Sequence, residues 1–150
     1  MISPCKVPLT VIIPVKNEEP NLPRCLDSIR WADEIIVVDS QSTDKTCEIA
    51  ASYGAQIFQF SFNGVWPKKK NWSLDNVPIS HEWVFILDAD EVMPPESEAE
   101  FRNLIEKSDH GCEAFLINRR FHFMGKWLKH AYFPNWNLRL FKHKAGRYEK

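Results

Sequence analysis

The sequence predicts an α/β fold with a mostly parallel central sheet. Three observations carry that expectation. Short apolar runs rich in β-branched residues alternate with helix-compatible segments from Leu9 to about Lys107. Prolines, N-cap residues or acids punctuate the ends of those runs. The 150 residues are 44% hydrophobic and 26% charged, which suffices for one core without disulfides or a structural metal. Strand–helix–strand order with continuously apolar strands implies a sheet covered on both faces.

Each element has its own signal. Leu9 to Ile13 reads as the first strand, ended by Pro14. Pro20-Asn21-Leu22-Pro23 opens a helix that places Leu22, Cys25, Leu26 and Ile29 on one face. Glu34 to Val38 is a second strand. Ser42-Thr43-Asp44 supplies N-cap residues for a helix running to about Tyr53, with Gly54 where a helix-ending glycine belongs. Gln56 to Phe60 is a third strand, followed by a loop with Asn63-Gly64 and a short helix near Lys68 to Leu74. Glu82 to Leu87 is a fourth strand. Pro94-Pro95-Glu96 starts a helix to about Lys107. Beyond Glu113, Phe115 to Phe123 and Asn137 to Phe141 read as longer, partly alternating strands around a turn at Gly125-Lys126-Trp127. That part is expected to be antiparallel and to form a separate edge or acceptor region. The organisation is one domain over residues 1–150, with a first part at 1–112 and a second at 113–150. The last residues carry no terminating signal, so the chain is expected to stop within a domain.

Several classes are excluded. No apolar run approaches the roughly 20 residues that span a bilayer, and the N-terminus lacks the shape of a signal peptide. Cys5, Cys25, Cys47 and Cys112 lie far apart with no CxxC pair, which reads as reduced thiols in a cytoplasmic protein. There is no G-x-G-x-x-G after the first strand, no P-loop and no G-x-S-x-G elbow.

Ligands of open α/β sheets bind at the carboxyl ends of the strands. Those ends carry Pro14-Val15-Lys16-Asn17-Glu18-Glu19, Asp39-Ser40-Gln41-Ser42-Thr43-Asp44 and Asp88-Ala89-Asp90-Glu91. A D-x-D pair alone arises by chance in many chains of this length, and Asp39 alone reads equally as a turn-capping residue. Their joint placement on one edge gives them weight. Acids so gathered repel one another unless a cation or hydrogen-bond donors sit among them, and hard divalent cations prefer carboxylate oxygens.

In order and spacing these three segments resemble the family 2 glycosyltransferases. Phe123 to His130 and Asn137 to Phe141 are similar to the subgroup of lipopolysaccharide-core β-glucosyltransferases. The resemblance extends from about Leu9 to Tyr148. It implies a GT-A fold, a Rossmann-like nucleotide-diphospho-sugar transferase domain, with the nucleotide-sugar-binding part at 1–112 and the start of an acceptor region at 113–150. It implies that Pro14, Lys16, Glu18 and Asp39 hold the base and ribose. Lys70, before Asn71, then lies near the nucleotide, and Asp88 and Asp90 bind the ribose and a Mg²⁺ or Mn²⁺ on the diphosphate. The implied reaction moves a hexose from a nucleotide sugar, UDP-linked by family habit, to a lipopolysaccharide or other surface-polysaccharide acceptor with inversion. Two departures stand out. Ser40 and Gln41 replace the second acid and the glycine common after the second strand, and the glycine's place favours positive φ. The usual catalytic base lies further along the family's chain; after Glu113 only Glu149 is acidic, so Glu91 is the candidate unless the base lies beyond Lys150. A nucleotidyltransferase on a similar sheet and a non-catalytic nucleotide-sugar-binding fragment are the rival readings.

Charge is lopsided. Leu116 to Lys150 carries +8 and Met1 to Phe115 carries −9. The basic stretch holds Phe121, Phe123, Trp127, Tyr132, Phe133, Trp136, Phe141 and Tyr148. It reads as a solvated face, as a peripheral contact with a lipid-linked acceptor at the inner face of the plasma membrane, or, without any motif in support, as a nucleic-acid surface; no nucleic-acid partner is expected. His81, His110, His122, His130 and His143 lack metal-ligand spacing, and His130 is the one nearest a possible acceptor region.

Overall fold

The computed structural model describes residues 5–64, 68–107, 111–130 and 133–148. His110, Tyr132 and Glu149 therefore lie outside the described residues.

The elements follow in the expected order: β1 Val7–Val15, α1 Leu22–Asp27, β2 Ala32–Asp39, α2 Thr46–Ser52, β3 Gln56–Gln59, α3 Lys69–Asn76, β4 Trp83–Ile86 and α4 Ser97–Glu106. β5 Ala114–Asn118, β6 His122–Phe123, β7 Lys126–Trp127 and β8 Trp136–Lys142 complete the chain. A six-stranded sheet has the order β3-β2-β1-β4-β8-β5. Its first four strands are parallel, and β8 runs antiparallel to both β4 and β5. The region after Glu113 is thus antiparallel as expected, but most of it joins the main sheet instead of forming a separate edge. β6 and β7 make a small hairpin of their own.

Alternation along β1 explains the two-sided core. Val7, Leu9, Val11, Ile13 and Val15 face one layer with Leu22, Cys25 and Leu26 of α1 and Phe101 of α4. Ile12 faces the other with Leu74 of α3, Val84, Ile86 and Phe141. Trp83, Phe85 and Phe141 are the largest fully buried side chains. Phe85 meets Phe101 edge-on at 4.9 Å between centroids.

Three boundaries differ from the sequence expectation. β1 continues through Pro14 to Val15, because Pro14 lies on the β4 side, where the ladder has already ended with the Leu87 N–H donating to the Ile12 carbonyl. A residue without an N–H is tolerated there. α2 starts at Thr46, later than the Ser42–Asp44 cluster, because those side chains are engaged elsewhere. The stretch from Phe115 to Phe123 is broken after Asn118, and Met124 with Gly125 forms the hairpin turn, both at positive φ. Gly54, just past α2, also has positive φ, +76°.

Candidate active site

The loops leaving β1 and β2 are laced together. The Asn17 N–H donates to Ser42 Oγ at 2.8 Å, and the Thr43 N–H donates to Asn17 Oδ1 at 2.8 Å. The Glu18 N–H donates to Thr46 Oγ1 at 2.8 Å. The Glu19 N–H donates to Asp44 Oδ2, and the Lys45 N–H to Glu19 Oε2, each at 3.1 Å. Asn17 sits at φ +53°, a conformation asparagine tolerates better than most side chains. Ser42, Asp44 and Thr46 are thereby spent on the neighbouring loop, with Asp44 also accepting the Thr46 N–H at 3.0 Å.

Asp39 closes β2 and is only 1% exposed. Its carboxylate accepts the Ser42 N–H at 3.0 Å, the Ser42 hydroxyl, and Gln59 Nε2 at 2.9 Å. Burial alone would raise this carboxyl; the Ser42 and Gln59 bonds outweigh it and hold the group below the ordinary aspartate value. Gln41 lies at φ +57°, so the turn does adopt the left-handed conformation for which the absent glycine is suited.

The end of β4 is built differently. A tight turn runs from Asp88 to Glu91: the Glu91 N–H donates to the Asp88 carbonyl at 2.9 Å, and the Asp88 N–H donates to Glu91 Oε2 at 3.0 Å. Lys70 Nζ, from the first turn of α3, lies 2.9 Å from Asp88 Oδ1. Arg139 Nη2, from β8, lies 2.8 Å from Asp88 Oδ2 and 3.3 Å from Glu91 Oε1. Arg119 Nε reaches Glu91 Oε1 at 2.7 Å. Burial pushes the Asp88 carboxyl up, but the bonds from Arg139 and Lys70 overcome it and bring it down to about 2. Asp90 is exposed on the same turn, and none of these three cations pairs with it.

α3 bridges the two halves of the site. Lys69 Nζ donates to the Val15 carbonyl at 2.7 Å, and its burial lowers its proton affinity. Asn71 exchanges hydrogen bonds with the Tyr148 backbone at 2.7 and 2.9 Å. The Tyr148 hydroxyl donates to the Leu138 carbonyl at 3.0 Å, and its ring lies 5.7 Å from Lys70 Nζ. Beneath the β4 turn, Cys25 is buried with its thiol directed at the Asp88 carbonyl; burial, then the charges of Glu91, Asp90 and Asp88, push it up to about 12. It is packing, not a nucleophile.

Of the residues singled out in the sequence, Glu18 and Asp39 share the laced loops, and Lys70, Asp88 and Glu91 share one charge cluster. Glu18 also accepts a bond from Asn21 Nδ2 at 3.0 Å. Pro14 is half-buried at the end of β1, and Lys16 is exposed beyond it. Among the described residues no three potential ligands gather closely enough to hold a metal ion unaided. Sequence reasoning assigned no site role to Arg139, Arg119, Gln59 or Ser42. For Arg139 a signal existed: an arginine inside the apolar run Leu138-Arg139-Leu140-Phe141, which is 5% exposed in the fold.

The chain was compared with known proteins. A family model described as Glycosyl transferase family 2 matches residues 10–150. The lipopolysaccharide core biosynthesis glycosyltransferase LpsC of Rhizobium meliloti (strain 1021) is 31% identical over 153 residues, covering 96% of this chain and 54% of that protein. The present chain thus spans about half the length of that curated relative. Among solved structures, S. aureus TarS 1-349 in complex with UDP superposes with a TM-score of 0.63 at 26% identity, over 79% of this chain and 37% of that one. Glucosyl-3-phosphoglycerate synthase from Mycobacterium tuberculosis, in complex with Mn²⁺, UDP and glucosyl-3-phosphoglycerate, does so with a TM-score of 0.56 at 28% identity, over 71% of this chain and 42% of that one.

Proposed function

The chain belongs to glycosyltransferase family 2 and has the GT-A fold; on that premise we propose that it moves a hexose from a UDP-sugar to a lipopolysaccharide or other surface-polysaccharide acceptor, with inversion and a divalent cation. We place the reaction in the cytoplasm, with the acceptor's lipid end at the inner face of the plasma membrane. The observation that carries the reading is the meeting of the Asp39 loop and the Asp88–Glu91 turn at one sheet edge, with α3 between them.

In this reading Asp39, with Pro14, Lys16 and Glu18, holds the base and ribose. Asp39 is suited to accept from hydroxyl or N–H donors because it is already oriented by Ser42 and Gln59. Asp88 reaches the ribose, and Lys70 and Arg139 stand where a diphosphate would lie. The oxygens of Asp90 and Asp88 fit a hard cation such as Mg²⁺ or Mn²⁺, provided the diphosphate supplies the remaining ligands. When bound, that ion offsets the negative charge that develops on the leaving diphosphate. Lys70 and Arg139, which occupy the two Asp88 oxygens in the free protein, contribute in the same sense once the cation takes their place on Asp88 and they turn to the diphosphate. Glu91 can take the acceptor's proton only after Arg119 and Arg139 release its Oε1.

That last requirement favours a second reading, a chain that binds the nucleotide sugar but does not turn it over. One calorimetric experiment addresses both: UDP titrated into the protein with Mn²⁺, then with EDTA, and again with Asp90→Asn. Metal-dependent binding that Asp90→Asn abolishes supports the site. Equal binding in EDTA removes the metal from it. Binding without release of sugar from a UDP-hexose leaves the non-catalytic reading.

A further inference from the structure

We propose that the β6–β7 hairpin is a membrane-contact element that inserts its tip into an anionic phospholipid surface beside the sugar-transfer site. The proposal rests on the lipid-linked acceptor of the preceding reading.

The tip is Phe123-Met124-Gly125. Phe123 is 65% exposed and Met124 87%. Two large apolar side chains raised together on a two-stranded turn cost solvation without contributing to any core. Their flanks are cationic: Arg120, Lys126 and Lys129 are all exposed. The pairing pattern separates these cations from the rest of the basic region. Arg119 and Arg139 pair with Glu91 and Asp88, Lys142 with Glu82, and Arg147 with Asp75. Among the described residues, no carboxylate pairs with the three hairpin cations. Two of them lie over the Trp127 ring instead, Arg120 and Lys129 each at 5.2 Å. No Asp or Glu occurs between Glu113 and Glu149, so nothing in this stretch repels an anionic surface. An apolar tip ringed by cations that no carboxylate neutralises matches the depth profile of a bilayer interface, acyl tails beneath phosphates.

The hairpin is also tied to the site. The Leu128 N–H donates to the Phe121 carbonyl at 2.8 Å, closing its base. The Arg119 N–H donates to the Asn135 carbonyl at 2.9 Å, and the Arg119 side chain holds Glu91. Only Arg120 and Phe121 separate that anchor from His122. A surface met by the tip would lie close to the Asp88–Glu91 turn, where an acceptor carried by a lipid must arrive.

The test is co-sedimentation of the 150-residue chain with vesicles of phosphatidylcholine containing about a third phosphatidylglycerol, and with phosphatidylcholine alone. UDP titration is run on the same samples. Binding is expected only to the anionic vesicles and is expected to weaken at high salt. Phe123→Ser with Met124→Ser is expected to lower the partition coefficient at least about tenfold. Lys126→Glu with Lys129→Glu is expected to lower it by about thirtyfold or more. Both variants should keep the wild-type far-UV spectrum, melting temperature and UDP affinity. Absence of wild-type binding to anionic vesicles overturns the proposal. So does binding that ignores the tip substitutions, or a wild-type self-association that the same substitutions abolish. If vesicles bind but UDP does not, the transferase reading fails while the hairpin proposal stands.

Discussion

Two aspartates stand at the carboxyl ends of the two parallel strands that flank β1, and the protein neutralises them in opposite ways. Asp39 is held by neutral hydrogen-bond donors, among them the Ser42 amide and hydroxyl and the Gln59 amide. Asp88 is held by the formal charges of Lys70 and Arg139, with Glu91 and Arg119 extending the cluster. Both carboxyls are held below the ordinary value, but by different means. Neutral dipoles fix an acceptor's direction and leave its charge in place, which suits the role proposed for Asp39. Cations cancel charge and are exchangeable, since an arriving anion or metal ion can take over either partner.

Breaking the charged cluster is expected to produce the largest effect. Arg139→Met should cost about 3 to 5 kcal/mol of unfolding free energy, because it leaves Asp88 and Glu91 without their most buried cation. Urea unfolding at pH 7 measures it. Asp39→Asn should cost less, about 1 to 3 kcal/mol, because two of its donors can still meet an amide oxygen while one is left facing an NH₂ group. UDP affinity should nevertheless fall sharply in this variant, and an Asp39→Asn protein with unchanged UDP affinity would remove Asp39 from the nucleotide site.

Acid separates the two carboxylates further. The Asp88 carboxyl is depressed to about 2, so the stability it contributes is fully present above its ordinary value near 4. That stability should be lost as pH falls from about 4 through about 2. Asp88→Asn should flatten this part of the stability profile, measured by chemical unfolding at stepped pH. Lys70→Gln is expected to give the smallest change in stability, no more than about 1 kcal/mol, since both partners are about a third exposed. It should weaken UDP binding more than it weakens the fold, and equal loss in both would mark Lys70 as structural only.

The same contrast shows what sequence could reveal. The donors around Asp39 lie within about twenty residues of it, in loops that local turn and cap chemistry flags. The strand ends, the apolar face of Leu22, Cys25, Leu26 and Ile29, and Gly54 beyond α2 were legible for the same reason. Of the partners of Asp88, Lys70 was legible from its place before Asn71, but the contact with Arg139 was not. Arg139 arrives from a strand 51 residues away, and only the insertion of β8 between β4 and β5 brings it there. That insertion depends on antiparallel register, Trp83 opposite Lys142 and Ala114 opposite Phe141, which no local pattern encodes. Pro14 misled in the other direction: a proline usually ends a strand, but here its missing N–H falls where the ladder has already stopped.

The lacing of the β1 and β2 loops has a consequence for motion. The amides of Asn17, Glu18, Glu19, Thr43, Lys45 and Thr46 all donate to side chains of these two loops, five of them across the gap to the opposite one and none of them as part of a strand ladder. Opening either loop strips protection from the other, so these amides should exchange with deuterium as one cooperative set, at a common rate. A ligand that grips only the β1 loop would then slow exchange in residues 43–46 as much as in residues 17–19.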